Sequence, residues 1–445
     1  MDMHLVQSDG KELLRYTDIN IPFVDDTGVE NEVINLYPCM EYQRMEGFGG
    51  AITDSAGYVF AQMNEEQKDI LLTNYFKEEN MNYQMVRIPI DSCDFATHIY
   101  SAVIDKDDSK LHSFSFADTE RYIIPMLNAA EKKAGKKLKI MLSAWSPPAF
   151  MKTNESRLNG GALKPEYRQT WAEYICRYIK EFRNRGYLIS RLTIQNEPKA
   201  VQPWDSCVYS AKEEKVFLQD FLYPTLKRHG LDHIEIFIWD HNKERVFERA
   251  SEIIDNETNN MVAGIAFHWY SGDHFEALNL VREKFTDKKL ILSESCLEFN
   301  KYDPAMENQN AARLAHDMIG NLNHGMNAFY DWNILLNQLG GPNHVNNYCD
   351  APYLYDEVKK ELVSRMIQRY YWHFAHFIKT GAVRIAYTKY TSKLDVTAWR
   401  NPDNSIVIIV LNSTDQPIPC VLRLNGKMAE FVIQSNAIAS GIIHL

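Results

Sequence analysis

The chain has 445 residues, an apolar fraction of 45% and a net charge of −11. That is enough chain for about two domains with a sizeable core, and its acidity argues against nucleic acid or an anionic membrane as partner. No apolar stretch approaches the length that spans a bilayer, no basic-then-apolar leader opens the chain, and the 7 cysteines are scattered without a Cys-x-x-Cys pair, so a cytoplasmic protein with free thiols is expected.

The first 40 residues carry two β-like runs, 16–21 and 32–36. From about residue 46 to 378, strand-like and helix-like runs alternate. Strands are expected at 48–52, 84–90, 138–143, 192–195, 234–239, 262–268, 289–293 and 326–332. Most are near-continuous apolar runs, the pattern of parallel strands buried on both faces. Between the third and fourth, Trp171, Tyr174, Ile175, Tyr178, Ile179 and Phe182 recur at helical spacing, one stripe of an amphipathic helix. Pro165 suits its first turn and Gly186 its stop. Ser210 with Glu213, and Asn64 with Gln67, read as capping boxes. Eight strands alternating with helices predict an α/β fold, a (β/α)₈ TIM barrel. A doubly wound sheet is the alternative, but it needs a ligand crevice at a switch point, and no phosphate loop marks one.

After residue 380 the period changes to short β-rich runs at 395–400 and 405–412, and Asn425-Gly426 is a hairpin signal. The expected division is therefore a catalytic barrel at 41–379 and an all-β sandwich side domain at 380–445, with residues 1–40 adding strands to that sandwich.

Two glutamates stand where barrel strands run out. Glu197, in Asn196-Glu197-Pro198, follows the fourth, and Glu294 ends the seventh. Three βα units of roughly 30 residues each separate them, and parallel strands would deliver both to one mouth. Two carboxyls facing each other there can cleave a glycosidic bond, one protonating the leaving oxygen and the other attacking as a carboxylate held by hydrogen bonds. Ser293, Ser295 and a nearby phenol are candidates to hold Glu294. Taken alone, Asn-Glu-Pro also describes a turn with an exposed acid, and a glutamate capping a strand would equally explain Glu294.

The run Gly47-Phe48-Gly49-Gly50-Ala51-Ile52-Thr53-Asp54 lacks the third glycine of a dinucleotide fingerprint. It reads as a tight barrel strand delivering Asp54 to the mouth, where a carboxylate can accept two sugar hydroxyls. Trp145 after the third strand and Trp332 at the end of the eighth can pack on a sugar face; core packing explains either equally well. Tyr270, ending Phe267-His268-Trp269-Tyr270, is placed to steady the nucleophile. His373 and His376 share a helix face without an accompanying carboxylate, so structural packing is the better reading.

These residues carry a resemblance to glycoside hydrolase family 30, and within it to the glucosylceramidase-like branch. The matching stretches are GFGGAITDSA (47–56), RIPIDSCDF (87–95), SAWSPPAFMKTN (143–154), QNEP (195–198), FHWY (267–270), SES (293–295) and DWNILLNQLGGPNHVNNYCDAPYLYD (331–356), with SIVIIVLNST (405–414) in the side domain. The resemblance implies a barrel fused to a β-sandwich and a retaining mechanism on β-glycosides without metal or cofactor. It implies Glu197 as acid/base, Glu294 as nucleophile, Asp54, Trp145, Asn196 and Trp332 as binders of the sugar, Tyr270 against the nucleophile, and Asn343 on a mouth loop. The implied partner is a β-glucoside or oligosaccharide. His344, and the segment Ile238-Trp239-Asp240-His241, differ from the animal glucosylceramidases. Both are expected around the aglycone side, which puts ceramide in question and keeps β-1,6-glucans and β-xylosides as alternatives.

Overall fold

The computed structural model describes residues 1–9, 16–106, 108 and 110–444. Eight parallel strands close into a barrel in chain order: Gly47–Ala51, Met85–Ile90, Lys139–Ala144, Leu188–Thr193, Glu235–Asn242, Gly264–His268, Lys289–Glu294 and Met326–Asp331. Every expected strand is present, although the fourth starts and stops earlier than its apolar run. Alternation along the strands sorts the core. Met85, Met141, Phe237, Ile291 and Tyr330 fill the interior, while Val86, Ile140, Leu192, Ile236 and Leu290 face the surrounding helices. The first strand is glycine-rich because it is crowded. A Cβ on Gly49 would lie 2.3 Å from the Met85 carbonyl oxygen, and one on Gly50 would lie 2.3 Å from the Ile334 side chain.

The helix Arg168–Asn184 buries all six residues of its predicted stripe. Pro165 opens a short 3₁₀ turn ahead of it rather than the helix itself, and both capping boxes form. At the N-terminal end of the barrel, Arg191 pairs with Glu46 and Glu235 and donates to Tyr330 Oη at 3.0 Å. That end is closed by structural ion pairs, and the C-terminal ends of the strands are left to form the mouth.

The side domain is a ten-stranded sheet drawn from both chain ends. The strand Asp2–Asp9, which the sequence reading did not anticipate, lies between Tyr16–Pro22 and Ala437–Ile443. Val33–Arg44 runs past residue 40 and pairs with Val383–Lys389. The sheet folds over a core that includes Leu5, Ile34, Val396, Ile408, Leu422 and Phe431. Along Ile406–Asn412, Ile406, Ile408 and Val410 face that core, while Val407, Ile409 and Leu411 join the barrel core. Asn425 and Gly426 both take left-handed φ (51° and 74°) between Ile418–Leu424 and Lys427–Ile433, as a tight hairpin requires. His373 bridges the two domains, with Nδ1 2.9 Å from Ser440 Oγ and Nε2 2.9 Å from Ser8 Oγ. Burial pushes it down to about 3, so it stays neutral.

Candidate active site

Two backbone irregularities build the mouth. Glu197 sits just past the fourth strand with φ 47°, and its N–H donates to Asp240 O at 2.9 Å. Left-handed conformations cost a non-glycine residue about 1–3 kcal/mol and persist where the surroundings impose them. On the fifth strand, Trp239 and Asp240 have φ 75° and 50°. There Ala266 pairs with Trp239 and Phe267 with His241, so Asp240 is skipped. Such a bulge re-aims a side chain, and Asp240 points into the barrel beneath the two glutamates.

Arg87, fully buried on the second strand, ties the floor together. It donates to Glu294 Oε2 at 2.6 Å, Asn196 Oδ1 at 2.8 Å, Asp240 Oδ2 at 2.9 Å and Ser143 Oγ at 3.0 Å. Its guanidinium carbon lies 4.7 Å from the Trp145 ring centre and 5.4 Å from that of Trp332. Asp240 also accepts from Thr193 Oγ1 at 2.6 Å and Ser293 Oγ at 2.5 Å. Burial alone would raise the Asp240 carboxyl, but the Arg87 charge and His268 hold it well below the usual carboxylate range.

His268, also fully buried, links the acids. Its Nε2 is 3.1 Å from Asp240 Oδ1, and its Nδ1 is 3.3 Å from Glu197 Oε1 and 3.8 Å from Glu294 Oε1. Those two oxygens therefore lie no further apart than the sum of the last two distances. That bound is below the upper end of the inverting range of about 6.5–9.5 Å and takes in the retaining separation of about 5–5.5 Å. Burial opposes the charged imidazole, but the Glu294 charge and the hydrogen bonds to Asp240 and Glu197 push His268 up to about 9. Burial would raise Glu197 as well; His241 and His268 beside it outweigh burial and hold it below the usual carboxylate range.

The two glutamates face one cavity of about 190 Å³, also lined by Asp94, Trp145, Asn196, Trp204, His241, Tyr270 and Trp332. Tyr270 Oη donates to Glu294 Oε1 at 2.9 Å. Asn196 lines the cavity with its amide oxygen held by Arg87. Trp145 and Trp332 stack on each other at 5.1 Å, each only 2% exposed, so one face of each indole is already covered. Trp204, which no sequence motif marks, and Tyr270 are the partly exposed rings packed beside them.

Asp54 is not among the residues around this cavity. It opens the helix Asp54–Gln62, and that first turn swings its carboxylate under the next loop, where it accepts from Thr97 N at 2.8 Å. Asp94 does line the cavity, and burial and the Glu294 charge push that carboxyl up to about 7. Asn343 lies on a loop at the mouth, outside the residues around the cavity. Its Oδ1 accepts from Val345 N and Asn347 N, shaping the loop whose Asn347 donates to Asp94 Oδ2 at 3.2 Å. Ser293 and Ser295 do not hold Glu294; they bond Asp240 and Tyr371, and Arg87 and Tyr270 take that role. His344 is partly buried, with Nε2 3.3 Å from Asp205 Oδ2. The departing segment Ile238–His241 supplies the floor through Asp240 and a neighbour of Glu197 through His241.

One signal for the network was legible. Arg87 is a cation inside the otherwise apolar strand Met85–Ile90, and such a residue needs buried anionic partners. Asp94 lay within the quoted stretch 87–95 without being singled out. Asp240, His241 and His268 had no local signal.

A closed eight-stranded barrel, a side β-sandwich and two glutamates converging at the C-terminal mouth define a glycoside hydrolase of the TIM-barrel class. The chain belongs to glycosyl hydrolase family 30: residues 45–379 match its TIM-barrel domain and residues 381–441 its beta sandwich domain. It is 28% identical over 409 residues to the lysosomal acid glucosylceramidase of Mus musculus, covering 88% of this chain and 79% of that protein. It is 30% identical over 381 residues to putative glucosylceramidase 3 of Caenorhabditis elegans, covering 83% and 73%. The crystal structure of SrfJ from Salmonella typhimurium superposes with a TM-score of 0.97 at 35% identity over 100% of both chains. An endo-β1,6-glucanase structure, at 23% identity and a TM-score of 0.88 over 99% of both chains, shares the fold.

Proposed function

We propose that this family 30 hydrolase is a retaining β-glucosidase that removes one β-linked glucosyl unit from a hydrophilic aglycone. The observation that carries the reading is the meeting of Glu197 and Glu294 across His268 in one small cavity. Glu294, held by Arg87 and Tyr270, attacks the anomeric carbon as the bond to the leaving oxygen breaks and Glu197 supplies that oxygen with a proton. Glu197 then takes a proton from the water whose oxygen displaces the Glu294 ester. The acid step needs its proton on Glu197 before the bond breaks, and His268, with Nδ1 3.3 Å from Glu197 Oε1, is the group placed to pass one there.

A cavity of about 190 Å³ is below the ~300–1,000 Å³ of sites for drug-sized ligands, which suits a single sugar ring and exo action. The rim carries Gln202, Asn242, Glu298 and Lys301 beside Trp204, chemistry that favours a second sugar over a two-chain lipid. The seven unpaired cysteines support placement in a reducing, cytoplasmic compartment. Among the described residues, no helix is long and apolar enough to cross a membrane. The test is hydrolysis of aryl β-glucoside, aryl β-xyloside, β-1,6-glucan, β-glucosyl disaccharides and glucosylceramide, with the anomer released followed by NMR. Glucose released first as the β-anomer, from disaccharides in preference to ceramide, is expected. Initial α-anomer, or faster attack on xyloside or polymer, would replace this reading.

A further inference from the structure

Glu197, His241 and His268 do more than surround one proton. We infer that they form a binding site for one divalent transition-metal ion of the zinc–copper class, and that this ion inhibits the enzyme by occupying the acid/base. Glu197 Oε1 lies 3.4 Å from His241 Nδ1 and 3.3 Å from His268 Nδ1, and the three donor atoms all lie within 4.8 Å of one another. Ligands at about 2.0–2.2 Å from a tetrahedral ion stand about 3.3–3.6 Å apart. Two edges of such a tetrahedron therefore exist already, with no rearrangement.

His241 Nδ1 supplies an independent observation. It is a buried atom that faces Glu197 Oε1 at 3.4 Å without a hydrogen bond of good geometry, so it remains available to a ligand. His268 is built as a metal-binding histidine is, with its far nitrogen on the Asp240 carboxylate and Asp240 itself fixed by Arg87, Thr193 and Ser293. Such an outer carboxylate orients the ring and raises its basicity. Two imidazoles and one carboxylate suit zinc or copper, and magnesium or calcium poorly. The charges facing the site are Arg87, which opposes a cation, and Glu294 and Asp240, which outnumber it. Glu197 and His241 are each slightly exposed to the cavity, which leaves the fourth coordination position toward the space a leaving group would enter.

Binding rests on this geometry, with the ion displacing the proton that His268 holds; inhibition rests also on the acid/base reading of Glu197, so the two are measured separately. The metal-stripped protein is titrated with Cu²⁺ and followed by electron paramagnetic resonance, and with Zn²⁺ against a chromogenic chelator. One ion per chain with nitrogen hyperfine coupling from two imidazoles is expected. His241→Gln should weaken binding at least tenfold, with thermal melting confirming the fold. Cys296→Ser with Cys349→Ser should leave it unchanged, because the two thiols lining the same cavity are the competing soft site. In parallel, Zn²⁺ and Cu²⁺ should inhibit aryl β-glucoside hydrolysis competitively and Mg²⁺ and Ca²⁺ should not. No bound ion at 100-fold excess, binding that survives in His241→Gln, or binding lost with the thiols would overturn the site. An ion bound without inhibition would overturn the inhibitory role. A protein without glycosidase activity would refute the proposed function and leave the binding titration to decide the site.

Discussion

Replacing Arg87 by methionine tests whether the floor of the mouth is one network. The side chain is fully buried and is the guanidinium partner of both Asp240 and Glu294. Methionine fills similar volume but leaves the two buried carboxylates with His268 alone beside them. Breaking a buried pair from one side costs about 3–5 kcal/mol. At about 2.1 cal/mol/K per residue, unfolding the whole chain as one unit carries about 0.9 kcal/mol/K, so Tm should fall by about 3–5 °C. The Glu294 nucleophile also loses a charge-assisted hydrogen bond worth about 1.5–3 kcal/mol, which corresponds to about 10–150-fold in kcat/KM. Arg87→Lys keeps the charge but not the fork that reaches Glu294, Asn196 and Asp240 together, and should fall between. Differential scanning fluorimetry and aryl β-glucoside kinetics read both quantities. A methionine variant with the parent's melting point and kcat/KM would refute the claim that Arg87 organises the site.

Glu197→Gln should cripple turnover of alkyl β-glucosides while sparing substrates with good leaving groups, and azide should restore rate by forming a glucosyl azide; undiminished activity on alkyl glucosides would remove Glu197 from the chemistry. Asp94→Asn should lower kcat/KM by about 10–150-fold, whereas Asp54→Asn should keep most activity and lose about 0.5–1.5 kcal/mol in urea unfolding. The reverse ranking would restore Asp54 as the sugar-binding acid. His316, on the helix Glu307–Asn323, bonds Asp395 of the side domain at 2.7 Å. The Asp395 hydrogen bond, against partial burial, pushes His316 up to about 9 from 6.5. A raised histidine stabilises fully below its unfolded value and loses that contribution as pH climbs through the folded one. The Tm gap between the parent and Asp395→Asn should be full below pH 6.5 and shrink toward pH 9; a gap that grows across this range would contradict the assignment.

The sequence by itself determined the frame. Continuous apolar runs located all eight barrel strands, helical spacing located the stripe from Trp171 to Phe182, and the ends of the fourth and seventh runs located Glu197 and Glu294. These features are local: strand burial and helix period are written in neighbouring residues. Proximity to a strand end says little about where a carboxylate points. Asp54 and Asp94 both follow glycine- or apolar-rich strands, and only the direction of the first turn of the helix Asp54–Gln62 sets the carboxylate that meets Thr97 apart from the one in the cavity. What the tertiary structure alone decided is the network beneath the two glutamates. Asp240 meets Arg87, Thr193, His268 and Ser293 because a bulge with two left-handed residues turns it inward. No hydrophobic period encodes that turn. It is imposed by closure of the ring, which brings strands distant in the chain within hydrogen-bond reach and makes a buried charge tolerable only where its partners converge.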